Sequence, residues 1–414
     1  MMNKAIKISR TVLEGVTIAR VMPSAVRAKW LVSRINDMGP TYVKMGQFLS
    51  SRADILGPDA ISALKTLQDS SNPLDWDTIK GVISRNSATD LFSSVDQIPI
   101  ASASIGQVHR AQLLDGSNVV LKVRRPGIVD EVRDDMAILE GLVNILSLVT
   151  GPSKMDDTRR VISDLKMMIL NETDFEREVQ NMRVMSKSYP DIVVPYPYPD
   201  MCSSDMIVMQ YVPSSKMSSS VKRRSELAYA LMDTFVQQFL QYGLIHGDPH
   251  EGNFALSSFE DDALAVFVMY DLGHVVKLDS GQRTLMKILV FEIMTENVDG
   301  VIDAMEKMPE IIRIRDKDQT RQFVKRYIEY IKTIDIQVLS SLDSRQDTLP
   351  IEFSSTVFEI VRVFGIVEGI CLTLDPDFKY EKVFYKYVDT LVMDRDFLEY
   401  KARKDLVNIM KWLL

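Results

Sequence analysis

Three residues and the distances between them constrain this chain more than any other feature. They are Asp248, Asn253 five positions later, and Asp271 at the start of an Asp-Leu-Gly turn. The first two lie in Ile245-His246-Gly247-Asp248-Pro249-His250-Glu251-Gly252-Asn253, the third in Met269-Tyr270-Asp271-Leu272-Gly273. Phosphoryl transfer of the kinase type needs an Asp that orients the attacking hydroxyl and accepts its proton. It also needs an Asn that ligates magnesium and a second Asp that holds metal on the β- and γ-phosphates. Asp248, Asn253 and Asp271 meet these needs in that order. Magnesium prefers hard oxygen ligands and keeps several waters, so one amide and one carboxylate, completed by phosphates, are a sufficient protein contribution. Gly, Asp, Pro and Asn also build ordinary loops, but loop formation alone does not demand this spacing.

All four histidines, His109, His246, His250 and His274, fall within or beside glycine-containing motifs. A zinc site on His246 and His250 would need a third ligand, and no cysteine is near enough to supply it. The magnesium reading accounts for Asp248 and Asn253 as well, so the histidines are expected to be structural or supporting. Cys202 and Cys371 stand far apart without ligand-type spacing and read as reduced core thiols.

A cation for the phosphates is offered by Val119-Val120-Leu121-Lys122-Val123, a strand pattern in which Lys122 alone is charged. A lysine among apolar neighbours is costly unless paired. Asn171-Glu172-Thr173-Asp174-Phe175-Glu176-Arg177-Glu178 supplies acidic candidates. Read as one helix, it puts Asp174 and Glu178 on one face, where like charges call for facing cations such as Lys122, Lys44 or magnesium. Glu172 falls on nearly the opposite face, so its joining the same site requires a bend or a helix start nearby.

With 414 residues the chain exceeds what one core usually supports, and 46% hydrophobic with 26% charged residues is a globular composition. The first 95 or so residues read as helical, with apolar periodicity in 11–32 and 59–68 and breaks at Gly39-Pro40, Gly57-Pro58 and Asn72-Pro73. Short β-like runs follow at 107–114 and 118–123, joined by Asp115-Gly116-Ser117 as a hairpin. Helices are expected over 129–149 and 158–188, then strands near 192–195 and 205–211 and a hinge at Val212-Pro213-Ser214-Ser215. Beyond Lys222 the pattern is mainly helical, interrupted by strands at 254–256 and 264–270. The organisation read from this is a helical extension over 1–95, a β-containing lobe over 96–214 and a mainly helical lobe over 215–414.

Net charge is −8, but residues 1–52 carry nine basic side chains against Glu14 and Asp37, leaving −15 for the rest. Such a start suits a membrane-surface helix, a transit peptide bound for a mitochondrion or plastid, or an arm docking on its own acidic body. The acidic body argues against nucleic acid as a partner. A membrane helix needs roughly 18 unbroken apolar residues, and Glu359, Arg362 and Glu368 interrupt the run from Val357 to Leu374. The expectation is an intracellular protein, soluble or peripherally membrane-associated.

Several motifs together carry a resemblance. Pro99-Ile100-Ala101-Ser102-Ala103-Ser104-Ile105-Gly106-Gln107 resembles the alanine-rich nucleotide loop of the UbiB/AarF/ADCK family of atypical kinases, and Lys44-Met45-Gly46-Gln47 resembles its Lys-x-Gly-Gln motif. Glu172-x-Asp174 with Glu178, the His246–Asn253 loop, Asp271-Leu272-Gly273 and Leu374-Asp375-Pro376-Asp377-Phe378 are similar as well. The resemblance implies an α+β, two-lobed protein-kinase-like fold: a small β-containing N-lobe with inserted helices, a mainly helical C-lobe and a helical N-terminal extension. It implies ATP and Mg2+ as cofactors, with Ala101 to Gln107 and Lys122 on the nucleotide, and Lys122 paired to Glu178. Asp248, Lys122 and Glu178 would be catalytic, Asn253 and Asp271 metal ligands, and Lys44 and Gln47 would reach toward Glu172 and Asp174 as a regulatory contact. Where other kinases use several glycines, Ala101, Ser102, Ala103 and Ser104 add Cβ atoms, so phosphate wrapping should differ. Some longer members carry C-terminal membrane helices, and stable membrane residence is not the expectation for the residues up to Leu414. The implied role is ATP binding with slow hydrolysis in isoprenoid-quinone biosynthesis or lipid homeostasis. Its partners would be a nucleotide and a hydrophobic lipid or quinone precursor, or the enzymes that make it. Two alternatives are a small-molecule phosphotransferase of the aminoglycoside or choline kinase type, disfavoured by Lys44–Gln47 and Ala101–Gln107, and a nucleotide-binding scaffold, disfavoured by the complete set Lys122, Asp248, Asn253 and Asp271.

Overall fold

The computed structural model describes residues 22–50, 58–64, 66–67, 72–86, 89–150, 156–189, 191–217, 223–257, 266–331, 350–392, 394–395 and 397–400, with residues 6, 8, 10, 11, 14, 15, 18 and 402 besides. Lys4, Lys7, Arg20 and Arg52 of the nine basic side chains in 1–52, and Gly57, Gln68 and Leu264 of the expected elements, lie outside the described residues. The chain divides into two compact units. The first comprises residues 1–187, 194–212 and 271–274, and the second 188–193, 213–270 and 275–414.

The first unit is built on an antiparallel sheet of β1 (Phe92–Val95), β2 (Ala101–Ser102), β3 (Gly106–Leu113), β4 (Asn118–Arg124) and β6 (Met206–Gln210), in the order β1-β3-β4-β6 with β2 also on β3. The β3–β4 hairpin forms where expected. Asp115 accepts the Ser117 amide at 2.8 Å, and Gly116 takes φ +86°, a conformation that favours glycine. Side chains alternate across the sheet. Val119, Leu121 and Val123 of β4 pack with Ala111, Leu113, Met206 and Val208 against Ile79, Val82 and Ile83. Those three belong to α4 (Trp76–Arg85), which Asp75 caps through the Thr78 amide. Lys122 therefore points to the opposite face.

Helices α1 (Ser24–Met38), α2 (Pro40–Leu49) and α3 (Pro58–Leu64) precede α4, and α5 (Ile128–Thr150), α6 (Asp156–Glu172) and α7 (Phe175–Ser188) follow β4. The extension is an integral part of this unit. Ile35, Tyr42 and Leu64 form one core with Leu67, with Ile138, Leu139 and Leu142 of α5 packed on it. Met45 also packs against the cluster of Ile128, Val132, Met136 and Ile169. β1 lies inside the segment read as wholly helical, too short for periodicity to reveal. The single helix expected over 158–188 is broken at Thr173-Asp174: α6 ends at Glu172, and Asp174 caps α7 by accepting the Arg177 amide at 2.9 Å.

In the second unit, β5 (Ile192–Val193), β10 (Phe267–Met269), β9 (Phe254–Ser257) and β7 (Ser214–Lys216) form one sheet in that order. β8 (Leu244–His246) pairs with β11 (Val275–Lys277), and β12 (Ile312–Ile314) with β13 (Ile351–Phe353). The helices are α8 (Arg224–Gln237), extended by a π-helical turn over Gln238–Tyr242, α9 (Ser280–Met294), α10 (Val298–Glu306), α11 (Lys317–Ile331), α12 (Ser355–Leu374) and α13 (Glu381–Val392). Among the described residues, no helix is long and apolar enough to cross a membrane.

Candidate functional site

Lys122 and Glu178 are the centre of the first unit's polar cluster. Strand alternation carries Lys122 off the α4 face, and the Asp174 cap sets α7 so that Glu178 meets it. The Lys122 Nζ lies 2.8 Å from both Glu178 carboxylate oxygens, 3.3 Å from Asp271 Oδ1 and 5.3 Å above the centre of the Phe175 ring. The Glu178 side chain is 1% exposed and that of Asp271 49%. Burial acts to lower the Lys122 pKa, but Asp271 and Glu178 outweigh it and raise it, so the lysine stays cationic. Burial, with Asp271 and Glu172 adding repulsion, pushes Glu178 up to about 7 against the pull of Lys122. Desolvation thus exceeds the pairing gain for this carboxylate.

Asp271 takes φ +49°, a left-handed conformation that Asp and Asn tolerate better than most side chains, and its Oδ1 accepts the Gly273 amide at 3.3 Å. A Cβ on Gly273 would stand 3.3 Å from that oxygen and 4.0 Å from the Glu172 Cα, so this turn lies against the α6–α7 junction. Lys44 reaches the same junction from α2. Its Nζ is 3.0 Å from Glu172 Oε2, with the two side chains 13% and 21% exposed. A carboxylate at a helix C-terminus is electrostatically unfavourable, and Lys44 offsets this. Gln47, expected beside Glu172 and Asp174, instead donates to the Leu67 carbonyl at 3.4 Å, because three residues along α2 it faces the Leu67 segment. Asp174 serves as the α7 cap rather than as a partner of Lys44. Gly46 lets Leu67 approach: a Cβ there would lie 2.4 Å from Leu67 Cδ1.

The alanine-rich loop is only partly available to a ligand. Ala101, Ser102 and Ala103 form its accessible part, whereas Ser104, Ile105, Gly106 and Gln107 are buried. Ser104 and Ile105 turn inward, toward Thr41, Lys44, Ile128, Val132 and Ile169. Gln107 is a clear departure from expectation. It sits opposite Val123 on β4, on the α4 side of the sheet, while Lys122 sits opposite Val108. Its amide accepts the Leu74 amide at 2.8 Å and meets His109 Nε2 at 2.9 Å, and His109 Nδ1 lies 2.8 Å from the Asp96 carbonyl. Gln107 therefore ties the extension to the sheet. Gly106 is required by the sheet, since a Cβ would stand 2.6 Å from the Val123 carbonyl oxygen. Arg125 clamps the loop, donating to the Ala103 carbonyl at 2.9 Å, Ser102 Oγ at 3.0 Å and the Asn72 carbonyl at 2.8 Å.

In the second unit, His246 ends β8 fully buried. Its Nδ1 accepts the Asp248 amide at 3.1 Å and its Nε2 is 3.0 Å from the Tyr270 carbonyl. Both bonds form together only on an uncharged ring with its proton on Nε2. Asn253 Nδ2 donates to the Asp248 carbonyl at 3.1 Å, which fixes its amide nitrogen on the loop. His250 Nε2 lies 3.6 Å from Asp248 Oδ2, and its Nδ1 accepts the Gly252 amide at 3.0 Å. A Cβ on Gly252 would fall 2.8 Å from that ring, so a side chain there would displace it.

A family model described as the ABC1 atypical kinase-like domain matches residues 66–305, more than half of the chain. This protein belongs to the ABC1 family. Among its relatives, Protein ACTIVITY OF BC1 COMPLEX KINASE 8, chloroplastic, of Arabidopsis thaliana is 27% identical over 429 residues, spanning 91% of this chain and 56% of that protein. Uncharacterized protein sll1770 of Synechocystis is 26% identical over 375 residues, spanning 86% and 63% respectively. The chain thus spans between half and two-thirds of these relatives. In fold it is similar to Rv3197 of Mycobacterium tuberculosis, solved as an erythromycin complex, with a TM-score of 0.57, 23% identity, and coverage of 80% of this chain and 87% of that one.

The ABC1 match begins after Lys44 and Gln47, so these two rest on the geometry described above. Several residues without a role in the motif reading hold the backbone of these loops. Gln238 Oε1 accepts the His246 amide at 2.8 Å, and Arg362, the lone cation in an apolar helix, donates to the Gly247 carbonyl at 2.6 Å. Arg177 and Asn181 of α7 bond the Gly273 and Leu272 carbonyls, each at 2.8 Å. Their spacing from Asp174, at i+3 and i+7, is the helical-face signal that would have found them.

Proposed function

We propose that this chain binds ATP with Mg2+ and acts as a slow atypical kinase or ATPase of the UbiB type in isoprenoid-quinone or related lipid metabolism. The observation that supports this most is the convergence of Lys122, Glu178 and Asp271 within 3.3 Å, a lysine held cationic beside a half-exposed carboxylate. Each of the two expected ligands offers magnesium a hard oxygen, a carboxylate on Asp271 and an amide on Asn253. Bound Mg2+ would neutralise developing phosphate charge. In this reading Lys122 holds the α/β-phosphates, Asp248 takes the proton of the attacking hydroxyl or water, and Ala101 to Ala103 border the nucleotide. The quinone or lipid assignment rests on the family resemblance, as does contact with biosynthetic enzymes or a membrane surface. The chloroplast named for the Arabidopsis relatives makes a plastid one setting to test. Incubating the protein with labelled ATP and Mg2+, with and without liposomes and quinone-precursor mimics, tests the proposal by where the label goes. Transfer to lipid or water fits it, and no release or transfer under any condition opposes it.

Anchoring of the extension at Glu172, beside the Asp271 turn, leads to a second expectation. Hydrogen-bonded charge pairs of this kind are worth about 1.5–3 kcal/mol, enough to keep a tethered segment in place. Generic peptides should be poor substrates, and Lys44→Ala should raise autophosphorylation several-fold while ATP binding persists. Equal, low autophosphorylation in the two folded proteins would make α2 a structural support only.

A further inference from the structure

We infer that Arg177 and Asn181 are positioning residues for the Asp271-Leu272-Gly273 turn, and so control how well Asp271 presents itself to magnesium; this rests on the functional reading above. Both lie on the α7 face that carries Glu178. Asn181 Nδ2 donates to the Leu272 carbonyl at 2.8 Å, and Arg177 Nη2 donates to the Gly273 carbonyl at 2.8 Å. Two successive carbonyls after Asp271 are thereby fixed by one helix.

The composition of this face is expensive in stability alone. Asn181 is 3% exposed and its Oδ1 has no hydrogen-bond partner among the described residues, as is true of the buried Arg177 Nε. A buried amide that makes one bond and leaves its acceptor unmet stabilises little, and an apolar residue of that shape would cost less. What the pair does achieve is geometric. Asp271 occupies a left-handed φ of +49°, which persists when its surroundings over-determine it. Holding the Leu272 and Gly273 carbonyls fixes the turn on one side, while Lys122 and the Gly273 amide hold the carboxylate on the other. Because Glu178 is on the same helix, α7 sets the lysine and the metal-binding turn in register. Partners that orient a metal ligand typically change metal affinity 10–100-fold when removed.

The test uses full-length protein and the Mg2+ concentration giving half-maximal ATP-dependent thermal stabilisation. It compares wild type with Asn181→Leu, Asn181→Asp, Arg177→Met and Arg177→Lys. Asn181→Asp, which sets an acceptor against a carbonyl, and Arg177→Met should raise the half-saturating Mg2+ by about tenfold or more. Arg177→Lys, which can still donate to Gly273, should recover part of it, and Asn181→Leu, which leaves the Leu272 carbonyl without its donor, should show the Mg2+ shift too. Lower melting temperatures with an unchanged half-saturating Mg2+ would make these contacts structural and overturn the inference. A wild-type protein without any Mg2+-dependent response to ATP would instead overturn the functional reading beneath it.

Discussion

Glu178→Ala should destabilise the first unit by about 3 kcal/mol, because it leaves the mostly buried Lys122 without its nearest counter-charge. For a unit of this size that corresponds to a fall in melting temperature of about 6–12 °C. Asp271, 3.3 Å from the lysine, keeps the loss at the lower end of what breaking a buried pair costs. A Lys122→Met/Glu178→Leu double variant should regain most of the stability, since well-packed apolar pairs often match buried ion pairs, yet it should bind no nucleotide. The pH dependence has a definite sign. With its value raised from 4.5 to about 7, Glu178 binds its proton more tightly in the folded state. Its contribution is therefore present below about 4.5 and is lost as pH rises through about 7. Glu178→Gln should flatten the fall in melting temperature across that window. A slope that is the same in the Gln variant would remove Glu178 as its source.

Asp248→Asn should lower phosphoryl transfer by about 10²–10⁴-fold while nucleotide binding is retained. The loop does not depend on the carboxylate for its shape. Its backbone is held by His246 Nδ1 at the Asp248 amide and by Asn253 Nδ2 at the Asp248 carbonyl, and Arg362 holds the neighbouring Gly247. The loss should therefore appear in turnover and not in ATP-induced thermal stabilisation. Turnover that survives in the Asn variant would assign the proton to another group.

The parts of this fold that could be read from the chain are those whose signal is local. The β3–β4 hairpin combines alternation with an Asp-Gly-Ser turn, and Lys122 stands out as a charge in an apolar strand. Three-residue strands such as β8 and β11 carry no periodicity of their own and exist because they pair with each other. The break at Thr173-Asp174 was hidden by a continuous helical pattern, although Asp is a favoured capping residue. Gln107 departs from the motif's implication because strand parity, not motif adjacency, decides its face. Its register opposite Val123 puts it on the α4 face, and Lys122 opposite Val108 on the other. The paired burial of Gln107 and His109 depends on Leu74 and Asp96, long-range partners that a local reading does not supply.

Lys122 and Asp271 are proposed to bind nucleotide and metal together. Calorimetric titration of ATP into wild type and Asp271→Asn, with and without Mg2+, tests it most directly. Asn is nearly isosteric and tolerates the left-handed backbone of Asp271, so the fold should survive. Saturable, Mg2+-dependent binding by wild type and an affinity at least about tenfold weaker in the variant are predicted. Binding of equal strength in both proteins, or binding indifferent to Mg2+, would contradict it.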